Sequence, residues 1–105
     1  MKTKIFETIL DVVSEVCEVS KEDLLSQGKQ DEVVEARAML IWYCRWNGLH
    51  ANDIAKFVKR KHPNSVNDYL NKYRIYKSST LLFKMLTERI SNILPQRLSK
   101  LQEKE

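Results

Sequence analysis

At 105 residues and 43% hydrophobic, the chain has material for one domain with a modest core, and too little for two that are each stable alone. Two glycines and two prolines fit a compact helical protein better than a turn-rich all-β one, whose hairpins would need frequent Gly, Asn-Gly or Asp-Gly signals. The net charge of +4 is uneven, with −4 in residues 1–44, +6 in residues 45–77 and +2 in residues 78–105, so the central third has the pattern of a local polyanion site.

Met1-Lys2-Thr3-Lys4 leads into an amphipathic segment rather than a signal peptide, and no apolar run approaches a membrane span. A soluble, cytoplasmic protein with no membrane partner is expected. From about Lys4 to Cys17, Ile5, Phe6, Ile9, Leu10, Val13 and Cys17 recur at three- and four-residue steps, which predicts an amphipathic helix. Ser20 and Asp23 form a capping pattern for a short second helix, Lys21 to Ser26, which Gly28 ends. A polar connection, Gln27 to Asp31, leads to a third helix from Asp31 to Trp46. Asp31, Glu32 and Glu35 suit its positive start, Arg45 suits its negative end, and Gly48 suits the left-handed position beyond it. Val33, Val34, Ala36, Met39, Leu40, Ile41, Tyr43 and Cys44 make this helix apolar on more than one face, so it is the expected core helix. The rings of Trp42, Tyr43 and Trp46 read as packing. Cys17 and Cys44 form no C-x-x-C pair and no cluster with His50 and His62, and read as buried thiols rather than a disulfide or metal site.

Leu49 to Val58 predicts a short fourth helix with Ile54, Ala55 and Val58 inward. Lys59 to His62 separate it from a fifth helix that starts at Pro63, a residue favoured at the first helical position because it leaves no N–H unpaired. Two helices joined by so short a turn match a helix-turn-helix. Val66, Leu70 and Tyr73 form the inward stripe of the fifth helix and leave Asn64, Ser65, Asp68 and Lys72 outward. Lys59, Arg60 and Lys61 add three cations beside a helix start that is itself positive and suited to phosphate. Ser78-Ser79-Thr80 reads as a break and cap. A sixth helix, with Leu82, Met85, Leu86, Ile90 and Ile93/Leu94 inward, is expected to end before Pro95, and Gln96 to Glu105 either continue as a loosely held helix or fray. The fold class is all-α: a single-domain helical bundle with a helix-turn-helix over residues 1–77, and a C-terminal helix and tail, 78–105, packed on it.

At Asp23-Leu24-Leu25-Ser26, Glu32-Val33-Val34-Glu35-Ala36-Arg37 and Gly48-Leu49, followed by Ile54 and Val66, the chain resembles the C-terminal DNA-binding domain of DnaA, the bacterial chromosomal replication initiator. The similarity covers about Ile5 to Tyr73. It implies a helix-turn-helix braced by a long central helix, and double-stranded DNA as partner. It places Lys29 where the family has a basic residue that enters the minor groove, Arg37 and Arg45 at positions that contact the phosphate backbone, and Lys61 at the arginine that opens the family signature. That signature, arginine-aspartate-histidine-serine/threonine-threonine-valine, is here Lys61-His62-Pro63-Asn64-Ser65-Val66. Pro63 stands where the family has its base-contacting histidine and cannot donate a hydrogen bond, so the initiator's way of reading its origin element is not expected. Asn64, able to pair with adenine, and Ser65 are then candidate readers of another target. The initiator's ATPase module needs a Gly-rich phosphate loop, and these residues hold only Gly28 and Gly48, so a stand-alone relative of prophage or mobile-element origin is expected.

The expected DNA contacts are Lys29, Arg37, Arg45, Lys56, Lys59, Arg60, Lys61, His62, Asn64, Ser65, Asp68 and Lys72, with no cofactor and no metal. His50 and His62 have no sequence-near partner in a nucleophile arrangement, which speaks against an enzyme. The alternative is an adaptor or oligomerisation module that keeps the scaffold and has lost DNA binding. Leu81, Leu82, Phe83, Met85, Leu86, Leu98 and Leu101 exceed the needs of a five-helix core and suggest a homodimer seam in residues 79–105.

Overall fold

The computed structural model describes residues 2–60 and 62–103. Lys61, expected among the DNA contacts, and Lys104 and Glu105, at the end of the expected seam, lie outside the described residues. The described residues form six helices and no strand: α1 (Lys2–Cys17), α2 (Lys21–Leu24), α3 (Asp31–Trp46), α4 (Ala51–Phe57), α5 (Asn64–Ser79) and α6 (Leu81–Glu103). The all-α expectation holds. Among the described residues no helix is long and apolar enough to cross a membrane.

The central helix is α3, as its apolar residues on several faces predict. Val33, Ala36, Ala38, Met39, Leu40, Ile41, Tyr43 and Cys44 are all buried, and α3 packs against both α1 and α5. Phe6 of α1 stacks on Phe57 at 4.7 Å and draws in the end of α4. Both cysteines are free thiols, Cys44 buried and Cys17 half-buried, with Cys17 Sγ 3.5 Å from Met39 Sδ. Just past α1, α3 and α4 the backbone turns left-handed, at Glu18, Gly48 and Lys59. In each case the following amide reaches back into the last turn: Val19 N to Ser14 O (3.3 Å), Leu49 N to Cys44 O (3.1 Å) and Arg60 N to Ala55 O (2.7 Å).

The C-terminal helix departs from expectation in two ways. Its inward stripe is Phe83, Thr87, Ile90 and Leu94, whereas Leu82 and Met85 are 60% and 47% exposed. Thr87 hides this stripe from an apolar pattern, yet it is buried with its hydroxyl on the Lys84 carbonyl (2.8 Å) and its own carbonyl accepting from the Tyr43 hydroxyl (2.9 Å). The helix also runs through Pro95 instead of ending before it. Proline forfeits the bond to the Ser91 carbonyl, but Ser91 is exposed to water, while buried Leu94, half-buried Leu98 and the Arg97–Glu15 ion pair (3.1 Å) hold the helix on either side. The break between α5 and α6 falls at Thr80, which is extended. Ser78 and Ser79 both donate their hydroxyls to the Ile75 carbonyl (2.9 and 2.7 Å).

Candidate nucleic-acid interface

Buried Ile54, Ala55, Val58 and Val66 set α4 against α5, and the small Ala55 leaves room for the approach. The start of the turn between them, at Lys59 and Arg60, is held by its backbone. With Lys59 left-handed, Lys59 N bonds the Lys56 carbonyl at 3.2 Å while Arg60 N takes that of Ala55. Such a backbone costs a non-glycine residue roughly 1–2 kcal/mol, which the neighbouring bonds offset. Pro63 is already helical at φ −61°, ψ −20°, and the His62 and Pro63 carbonyls accept from the amides of Ser65 (3.1 Å) and Val66 (3.0 Å). The fixed φ of proline thus starts α5 where the sequence places it.

Tyr69 ties α5 to the rest. It is buried, and its hydroxyl accepts from Arg37 Nη1 (2.9 Å) and Arg60 Nη2 (3.2 Å), with Lys72 Nζ 4.9 Å from the ring centre. Burial alone would raise its phenol, but the two guanidiniums outweigh that and hold it below the usual tyrosine range. Arg60 also donates to Gln27 Oε1, and Gln27 Nε2 donates to the Lys59 carbonyl (3.3 Å). The segment carrying Lys29 is thereby pinned beside the basic turn.

Arg37 does not stand where a phosphate contact requires it. It is 0% exposed, with Nε on the Leu24 carbonyl (2.8 Å), Nη2 on that of Asp23 (2.8 Å), and Nη1 shared by the Gly28 carbonyl (3.0 Å) and Tyr69 Oη. A guanidinium enclosed by four protein acceptors cannot meet a phosphate. Its place in this chain is structural: it caps the C-terminal carbonyls of α2 and joins them to α5.

The remaining expected contacts lie at the surface. Lys29, Arg45, Lys56, Lys59, His62, Asn64, Asp68 and Lys72 are exposed, and Arg60 and Ser65 are half-buried. Among the described residues the ion pairs are Lys2–Asp53 (3.1 Å), Lys21–Asp11 and Arg97–Glu15, none of which neutralises a cation of this group. No cluster of three or more His, Cys, Asp or Glu among the described residues is placed to hold a metal. The sequence reading passed over Tyr69 and Gln27. Tyr69 had a signal, standing three residues after Val66 on the inward stripe, but Gln27 had none. Of the three rings read as packing, Tyr43 is buried and Trp42 half-buried, but Trp46 is 77% exposed.

Two helices joined by a short turn, the second exposed along its N-terminal half and braced by a central helix, define a helix-turn-helix domain. The chain belongs to the bacterial dnaA protein helix-turn-helix family, whose model matches residues 6–69. That membership marks it as a DNA-binding domain, with DNA as its partner. The match runs from α1 to Tyr69 and leaves the rest of α5 and all of α6 outside. No curated protein matches the chain.

Proposed function

We propose that the chain binds double-stranded DNA with the N-terminal half of α5 in the major groove. Asn64, Ser65, Asp68 and Lys72 face the base edges and adjoining backbone, with His62 at the helix start. Arg45, Lys56, Lys59, Arg60 and Lys61 take phosphates, and Lys29 lies toward the minor groove. The observation that carries this reading is the set of exposed cations around the turn, free of acidic partners among the described residues, on the scaffold of a DNA-binding family. Residues 1–77 are the DNA-binding unit and 78–105 its brace, and the protein acts by binding, in the cytoplasm, rather than by catalysis.

With four to six phosphates neutralised, log affinity falls against log salt with a slope of roughly −4 to −5. Replacing Lys59 and Lys61 by alanine flattens that slope and weakens binding to all sequences alike; Arg60 is spared in this test because it also holds Tyr69. A folded, monodisperse sample that binds no duplex at low salt overturns the reading.

A second reading draws support from the corner of α5 and α6, where Ile75, Leu81, Leu82 and Met85 are exposed. It makes this patch a homodimer seam of an adaptor that no longer binds DNA. Light scattering on the full chain, with and without Leu82→Lys and Met85→Lys, decides it: a wild type that is monomeric at high concentration removes the seam.

A further inference from the structure

We infer that the groove between the C-terminal end of α3 and the middle of α5 binds single-stranded DNA, with an unpaired base stacked on Trp46. Three rings form a ladder here: Tyr73 stacks on Trp42 at 4.2 Å and 6°, and Trp42 on Trp46 at 6.3 Å and 15°. The ladder ends in solvent, because Trp46 is the most exposed large hydrophobic side chain among the described residues. An indole of that size left in water is costly, and its near-parallel alignment with the rings below it leaves a flat site for one more ring. The groove of about 480 Å³ beside it is lined by Trp42, Arg45, Trp46, Asn67, Leu70 and Arg74, with two guanidiniums and no acid.

Those features select the ligand. The two arginines call for an anion, and the exposed ring calls for a flat partner that offers its face. A duplex offers base edges in its grooves and keeps base faces stacked, so the matching polyanion is one whose bases are unpaired. Sequence tolerance follows, since every base has a face to offer. The groove shares Arg45 with the duplex reading, so the inference is tested at Trp46 and Arg74, neither of which belongs to the proposed duplex contacts.

The test is fluorescence anisotropy of a labelled oligothymidylate at low salt, run beside a labelled duplex on the full chain. Trp46→Ala is expected to weaken oligothymidylate binding about tenfold or more, Trp46→Phe to retain most of it, and Arg74→Ala to lower the salt slope by about 0.7. Duplex affinity is expected to stay within about twofold in Trp46→Ala, matching the placement of stacking outside the duplex face. Circular dichroism confirms that each variant is folded, and Trp46→Phe keeps the question answerable if the alanine variant is not. The inference is overturned if the wild type does not bind oligothymidylate, if both Trp46 variants bind it as the wild type does, or if duplex binding falls by the same factor as single-strand binding.

Discussion

Arg37 is a buried cation whose four acceptors are all neutral, so hydrogen bonds and the Tyr69 ring, 5.8 Å from its guanidinium carbon, compensate its removal from water without an ion pair. Truncation to alanine leaves carbonyls of α2 and of the following connection without a donor and opens a cavity beside Tyr69. Arg37→Ala is expected to cost about 3 kcal/mol or more in urea unfolding. Arg37→Lys recovers only part of this, because an ammonium cannot reach carbonyls in three directions. A loss under about 1 kcal/mol for alanine would leave the residue free to serve DNA after all. The position of Arg37 was legible, since it stands four residues after Val33 and three before Leu40 on the inward stripe. Its role was not, because charge suggested the surface and the acceptors come from backbone of α2 and the connection and from the distant Tyr69 hydroxyl. The thiols carry a second residue-scale consequence. Burial, and then the charge of Glu35, pushes Cys17 from 9.0 up to about 12, and burial pushes Cys44 up as well. As pH rises past the ordinary thiol value, the unfolded chain releases protons that the folded chain retains. Their contribution to stability is therefore whole below about pH 8.5 and is lost above it, by up to about 1.4 kcal/mol per pH unit for each thiol. Urea midpoints should fall through this alkaline range, and fall less in a Cys17→Ala, Cys44→Ala variant; parallel pH profiles for the two proteins would contradict the assignment.

At the scale of elements, the helices that bury a plain apolar stripe were the legible ones. The bounds of α3 follow from Asp31 at its start and Gly48 beyond its end, and the start of α5 follows from Pro63. The course of α6 was not legible, because local signals and tertiary packing disagree there. Pro95 alone predicts a stop, while buried Leu94 before it, and half-buried Leu98 and Arg97 bonded to Glu15 after it, require the helix to go on. The conflict yields a prediction. Pro95 is exposed, so alanine restores the amide that reaches the Ser91 carbonyl and removes the clash of the ring with that carbonyl, at little loss of packing. Proline in a helix interior is about 3 kcal/mol less favourable than alanine, and the helix here has already adapted to it, so Pro95→Ala should stabilise the chain by about 1–2 kcal/mol. Thermal unfolding measures the gain. An unchanged or lower midpoint would mean that the ring's contacts near Tyr43 and Trp46 outweigh the missing hydrogen bond.

For the whole molecule, the family match and the physical core do not end at the same place. The match stops at Tyr69, yet the radius of gyration of 12.8 Å is that of one compact domain of this length, and α6 lies along α1 with Phe83, Ile90 and Leu94 in the common core. Phe83 meets Tyr73 edge-on at 5.3 Å, and the Tyr43 hydroxyl reaches the Thr87 carbonyl and Ser91 Oγ (2.8 Å), so α6 also braces the central helix α3 and α5, the second helix of the helix-turn-helix. Burying three such side chains contributes roughly 5–9 kcal/mol, which equals much of the roughly 5–15 kcal/mol by which a small domain is stable. A fragment ending at Thr80 keeps every matched residue but exposes the apolar faces of α1 and α5 that α6 covers. It is therefore expected to lose cooperative unfolding and, with it, the fixed placement of α5 on which the proposed duplex binding depends. Adding α6 back as a separate peptide should restore both together, with a midpoint that rises with peptide concentration. A fragment that unfolds in one sharp transition and binds duplex with the affinity of the full chain would reduce α6 to an appendage, and the boundary of the domain would then follow the family match rather than the core.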